Sequence, residues 1–241
     1  TITSRKVYVA LNDNPAITKV YDGTNAVEQV VTGNNNKVYM PDSTDFISGD
    51  DVDVDWNNIR AVYSSENVAY DGEGNVTSQD VIYNVGLTGT DAGNYVLYRA
   101  ADNTAITDAN KLTGTGIITP RELTVDFVRD EHIYNNSADV INAGNNLRLD
   151  NLAARDAGFT LDATAKGLIR GSYTDENVNR AADGTVLDKG LTYNGMQAAL
   201  ADYATRNSIA KNYTIAANSV TYSVADAKGV ITPLEITDPL K

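Results

Sequence analysis

Apolar and polar residues alternate along much of this chain with the period of a strand. The clearest case is Val52, Val54 and Trp56, which interleave with Asp51, Asp53 and Asp55. As a strand, that stretch puts its apolar set on a core face and its carboxylates in water. Further strands are predicted at Lys6–Leu11, Ile17–Tyr21, Ile59–Tyr63, Val81–Leu87, Tyr95–Tyr98 and Gly116–Ile118. Turn chemistry separates them: Asn12-Asp13-Asn14-Pro15, Asp22-Gly23 and Thr90-Asp91-Ala92-Gly93-Asn94, with Asn34-Asn35-Asn36 as a loop tip. Short strands so regularly punctuated predict an all-β, antiparallel sandwich.

The pattern then repeats. Ile118-Thr119-Pro120-Arg121-Glu122-Leu123 returns as Ile231-Thr232-Pro233-Leu234-Glu235-Ile236, and Ile2-Thr3-Ser4-Arg5 opens the chain in similar form. The offsets are 118 − 2 = 116 and 231 − 118 = 113. Between them Tyr21 matches Tyr134, Tyr63 matches Tyr173, Tyr83-Asn84 matches Tyr193-Asn194 and Asn94-Tyr95 matches Asn212-Tyr213. Self-similarity at a fixed period signals tandem domains. The expected division is residues 1–119, residues 120–233 and, over 234–241, the start of a following repeat. The offset grows from 193 − 83 = 110 to 212 − 94 = 118, so 8 extra residues lie between Tyr193 and Asn212. There Met196, Ala199, Leu200 and Tyr203 recur at helical spacing, which predicts a short helix in the second domain. No Gly/Ser/Pro-rich linker separates the copies, and Pro120 at the junction predicts a stiff joint and a semi-rigid tandem.

Composition narrows the function classes. The net charge of −13 disfavours nucleic acid and anionic membranes as partners. No apolar run approaches the roughly 20 residues that span a bilayer, and Thr1 to Arg5 do not form a signal peptide. There is no cysteine, hence no disulfide and no thiolate metal site. No Gly-x-Ser-x-Gly elbow or phosphate-binding glycine pattern is present, and nothing singles out a carboxylate pair, so no catalytic residue is assigned. His132, the only histidine, is expected on the surface or in a loop.

Several side chains remain as candidates. Asp51, Asp53 and Asp55 match the first ligands of a calcium loop, but Trp56 stands where that loop needs Gly and Val62 where it needs Glu. They are expected to line a solvated strand face, with calcium as the only cofactor worth testing. Trp56, in phase with Val52 and Val54, is expected in the core. Tyr39, Tyr70 and Tyr98 are the candidates for ligand contact, and Tyr21-Asp22-Gly23 is read as a turn with a packed tyrosine. Three glycosylation sequons occur, at Asn75, Asn135 and Asn212.

Lys19-Val20-Tyr21-Asp22-Gly23-Thr24, Leu87-Thr88-Gly89-Thr90-Asp91-Ala92-Gly93-Asn94-Tyr95 and Gly116-Ile117-Ile118-Thr119-Pro120 together resemble the YDG repeat, related to the MBG-type repeats. Such repeats occur in large secreted bacterial adhesins of the filamentous-haemagglutinin kind. The second copy departs from the pattern, with Tyr134-Asn135-Asn136-Ser137 in place of Tyr-Asp-Gly-Thr. The resemblance implies immunoglobulin-like β-sandwiches, an extracellular, cell-surface setting and no catalytic residues. The expected role is a stalk repeat supporting adhesion or biofilm contacts, with neighbouring repeats of the same chain as partners. The alternative is a module that grips host glycans or matrix proteins through loops at Gly33–Asp45 or Met196–Asn212.

Overall fold

The structure is a computed structural model, and it describes residues 2–12, 16–27, 37–41, 46–216 and 218–237. The chain is mostly β and falls into two compact units, Thr1–Thr119 and Pro120–Lys241.

In the first unit β1 (Arg5–Leu11), β2 (Ile17–Val20), β3 (Val38–Tyr39), β4 (Asp53–Val54), β5 (Arg60–Tyr63), β6 (Gln79–Asn84) and β7 (Leu87–Thr88) are followed by β8 (Tyr95–Arg99), β9 (Thr104–Ala105) and β10 (Leu112–Thr119). They build one sheet in the order β3-β1-β8-β9 and another in the order β2-β10-β6-β5, with β4·β7 as a separate pair. Val7, Val9 and Leu97 bury one face of the first sheet, and Tyr63, Val81, Tyr83 and Ile118 one face of the second. Alternation along β5 and β10 is regular, as the period of two requires.

The second unit runs β11 (Arg121–Phe127), β12 (Asp130–Ile133), β13 (Leu147–Asp150), the single-turn helix α1 (Ala163–Lys166), β14 (Arg170–Tyr173), β15 (Leu191–Asn194), α2 (Met196–Ala204), β16 (Tyr213–Ile215), β17 (Ser219–Tyr222) and β18 (Gly229–Thr232). Its pairings are β13-β11-β16, β12-β18 and β14-β15-β17. The main pairings repeat those of the first unit, although β4, β7 and β9 have no counterpart. β1 pairs with β8 from Arg5↔Tyr95, and β11 with β16 from Arg121↔Tyr213. β2 runs beside β10 from Ile17↔Gly116, and β12 beside β18 from Asp130↔Gly229. β10 is one strand that serves two neighbours: Leu112–Gly116 face β6 and Gly116–Thr119 face β2. In the second unit the same duties are divided between β17, which faces β15, and β18, which faces β12.

The expectation of purely antiparallel sheets is corrected here. β1·β8 and β2·β10 are parallel, as are β11·β16 and β12·β18. Alternation reports which side of a strand is buried and is blind to the direction of its neighbour. The long stretch between β1 and β8 supplies the crossover that a parallel pair needs. The strand predicted over Val52–Trp56 is also shorter than expected. Only Asp53 and Val54 pair, and Trp56–Asn58 turn into a 3-10 helix. The helix predicted near Met196 is α2, which buries Met196, Ala199 and Leu200.

Candidate functional site

The residues that recur between the units first show what they do for the frame. Tyr63 is buried, and its hydroxyl lies 3.3 Å from the Ile17 carbonyl and 3.4 Å from that of Ile117, the two strands of the parallel pair. Tyr173 occupies the same place, donating toward the carbonyls of Asp130 and Val230 at 3.4 Å each. A glycine lies beneath each ring. A Cβ on Gly116 would stand 2.7 Å from Tyr63 Cε1 and 2.7 Å from Val81 Cγ2, and one on Gly229 would overlap the Tyr173 hydroxyl. A second tyrosine lock repeats as well. Tyr95 donates to Asp50 Oδ2 at 2.6 Å and accepts the Ile47 N–H at 3.0 Å. Tyr213 donates to Asp156 Oδ2 at 2.7 Å and accepts the Ala153 N–H at 3.1 Å.

Tyr21-Asp22-Gly23 is a turn whose three residues each have a structural task. Tyr21 is buried, and Gly23 adopts a φ of 81°, which favours glycine. Asp22 accepts the Thr24 N–H at 2.8 Å and pairs with Lys19 Nζ at 2.7 Å. Burial alone would raise the Asp22 carboxyl, but the Lys19 ammonium and the Thr24 donors hold it below its ordinary value. Lys19 also reaches the carbonyls of Thr24 and Ala26. A hollow of about 250 Å³ beside this turn is lined by Ile17, Lys19, Asp22, Val27 and Tyr63.

The acidic stretch is divided among separate protein donors. Asp51 accepts the Thr90 N–H and hydroxyl at 3.0 and 2.9 Å, which lowers its carboxyl. Asp53 accepts the Val54 N–H at 2.7 Å and Trp56 Nε1 at 3.2 Å. Asp55 accepts the Asn58 amide at 2.8 and 2.9 Å. No group of three or more His, Cys, Asp or Glu positioned to hold a metal occurs among the described residues. Trp56 is only half-buried, contrary to the core position expected of it. The 3-10 turn at Trp56 rotates its ring out of phase with Val54, and its indole N–H is held by Asp53 instead.

Of the candidate tyrosines, Tyr39 is 45% exposed at the end of β3. Tyr70 stands at the base of a hairpin, bridged to Val76, and burial raises its hydroxyl's pKa. Tyr98 on β8 lies beside Tyr8 on β1, with ring centroids 6.0 Å apart. The structure brings Tyr39 and Tyr98 onto one sheet and leaves Tyr70 elsewhere. Among the sequons, Asn75 and Asn135 are exposed, whereas Asn212 is 1% exposed. Residues 33–36 and 42–45 of the Gly33–Asp45 loop lie outside the described residues, and much of Met196–Asn212 is packed as α2.

His132 is not a surface or loop residue. It lies on β12 with a side chain 9% exposed, Nδ1 being 3.1 Å from Asp130 Oδ2. Asp130 also accepts the Tyr173 hydroxyl at 2.8 Å and the Asn146 amide at 3.3 Å. Burial, followed by the Asp130 carboxylate, pushes the Tyr173 hydroxyl well above its ordinary pKa. With Nδ1–H directed at Asp130, the buried Nε2 of His132 is left without a hydrogen-bond partner among the described residues. Sequence reasoning missed this network because Asp130 and Tyr173 are 43 residues apart. The one visible signal was Asp130 and His132 two apart on the same face of a strand.

Apart from His132 Nε2, the buried polar groups described so far bond one another or the backbone, which gives them a structural part. The phrases Lys19–Thr24 and Leu87–Tyr95 both lie in the first unit. A YDG domain is found at residues 4–105. Neither the curated proteins nor the solved structures give a match to the chain. Within the YDG domain, the Tyr-Asp-Gly turn, the Tyr63 hydroxyl and the Gly89–Tyr95 segment are all engaged in holding strands in register. A Cβ on Gly89, whose φ is 105°, would overlap the Asp51 carbonyl, so that glycine is what lets the two loops meet.

Proposed function

We propose that this chain is a stalk segment of a bacterial cell-surface adhesin, built from tandem immunoglobulin-like β-sandwich repeats and working in adhesion or biofilm contacts. The observation that carries the reading is the repetition itself. The same central strand pairings, with the same two parallel pairs, and the same tyrosine-over-glycine locks occur twice, with Thr119 and Pro120 directly adjoining at the boundary. The YDG domain at residues 4–105 supports it, and the acidic surface suits an exposed, soluble array. In this reading the repeats are mechanical: they carry load and distance, their neighbours are further repeats of the same kind, and no residue performs catalysis.

The test is made on cells that produce the protein. Antibodies raised against this chain should label intact cells, and removing residues 1–233 in frame should weaken adherence while leaving secretion of the rest intact. Labelling only after the cells are opened would overturn the surface reading. Unchanged adherence would overturn the adhesive one.

A further inference from the structure

We propose that the outer face of the β3-β1-β8-β9 sheet in the first unit is a binding platform for a carboxylated glycan. This goes beyond the stalk reading and does not depend on it. Val7, Val9, Tyr95 and Leu97 point to the core, so the alternate residues Lys6, Tyr8, Ala10, Val96 and Tyr98 face outward. Register aligns Tyr8 with Tyr98, and Tyr39 with Ala10 one step along the same face. Three tyrosines thus cross three adjacent strands in a diagonal row, spanning roughly 10 Å at the ordinary strand spacing. A row of rings on a flat face offers apolar surface to the C–H faces of successive sugar rings and hydroxyls to their edges.

Polar groups are set beside that row. Asn103, held in the left-handed conformation at φ 53° in the β8–β9 turn, accepts from Tyr8 OH at 2.9 Å and from Lys6 Nζ at 3.2 Å. Among the described residues its amide N–H groups have no partner, so they remain to be given to a ligand. The Lys6 ammonium lies 4.4 Å from the centre of the Tyr98 ring and has no carboxylate partner among the described residues. The charge pattern names the ligand class. In a chain with 32 acidic residues, the strands of this sheet contain none, and they carry Arg5, Lys6 and Arg99. Arg99 is paired with Asp102 and Arg5 alternates to the Val7 side of β1, so Lys6 is the strand cation on the outer face. A uronate carboxylate supplies its missing anion while the sugar rings lie on Tyr98, Tyr8 and Tyr39.

The second unit is the internal control. The same register positions there hold Glu122 for Lys6, Thr124 for Tyr8, Asp126 for Ala10 and Arg148 for Tyr39. The frame therefore does not need the tyrosines, and the acidic residues there would repel a polyanion.

Titration calorimetry of the whole chain with oligogalacturonate tests the proposal, with neutral cello-oligosaccharides and poly-glutamate as comparisons. Oligogalacturonate should bind, more weakly as salt is raised. Tyr39→Ala and Lys6→Gln should each weaken binding about tenfold or more, while Arg148→Ala leaves it unchanged. Unaltered melting temperatures check the fold, and Lys6→Gln, at an exposed position, carries the test if a tyrosine variant loses its structure. No binding of oligogalacturonate, equal binding of the neutral sugar or of poly-glutamate, or indifference to Lys6→Gln would each overturn the assignment.

Discussion

The two units share a frame and differ in what they place around it. Both set a buried tyrosine over a glycine beside a parallel strand pair, and both anchor a second tyrosine to an aspartate. The Tyr63 hydroxyl of the first lock, however, bonds only backbone carbonyls, where the Tyr173 hydroxyl also bonds the Asp130 carboxylate, itself held by His132 and Asn146. The first unit bridges its sheet with one continuous strand, β10. The second divides that strand into β17 and β18 and, elsewhere, inserts α2 between β15 and β16, which adds Met196 and Leu200 to the core. What recurs is what the parallel pairing requires, and what changes lies where backbone is not already committed to a neighbour.

The comparison breaks most severely at the shared glycines. Gly116→Val and Gly229→Val should each cost about 1–3 kcal/mol or more, because a buried, hydrogen-bonded tyrosine must move aside. Chemical denaturation followed by spectroscopy of each variant would show the loss, and equal stability to the parent would refute the lock. The next effect separates the units. Tyr173→Phe leaves Asp130 buried without its shortest donor and should cost about 1–3 kcal/mol, whereas Tyr63→Phe loses two long bonds to carbonyls and should cost about 1 kcal/mol or less. Similar costs in both would mean that the carboxylate contributes nothing.

The pH responses differ in the same sense. Burial, then the nearby Asp22 charge, pushes Tyr63 up to about 12. Its stabilising contribution is complete below the unfolded value of about 10 and is lost as pH rises through the folded one. At the acid end, Arg206 and then the Ala165 N–H hold Asp162 down at about 2. That contribution is present above the ordinary carboxylate range of about 4 and is lost as pH falls toward 2. Carbon-detected NMR titration should show Asp162 returning toward its ordinary value in Arg206→Gln, with Asp22 in the first unit unmoved. The smallest expected effect is with calcium. Because Asp51, Asp53 and Asp55 are each bonded to a different donor, millimolar calcium should leave the unfolding transition unchanged, and a rise in midpoint would contradict their separation.

Much of this frame could be read in the chain before any coordinate. Period and turn chemistry located β1, β5 and β8 to within a residue or so, because alternation and Asn/Gly/Asp turns act locally. The matching of Tyr63 to Tyr173 and Tyr95 to Tyr213 was visible as spacing, but not its cause. A hydroxyl's partner is chosen by strands that meet only in the folded unit. Trp56 shows the limit from the other side. Its alternation with Val52 and Val54 was real, yet Asp55 and Asn58 close a turn there and local hydrogen bonds outweighed the pattern.

The sequence by itself determined that the chain is β-rich, repeats one plan twice and carries a helix in the second copy, because periodicity and self-similarity survive without knowing any contact. Only the tertiary structure decided that the key pairs are parallel, that His132 is buried against Asp130, and that Tyr8, Tyr39 and Tyr98 share one face with Lys6. Those facts depend on which strands become neighbours and in which direction. That choice is made by long-range burial, and no local pattern encodes it.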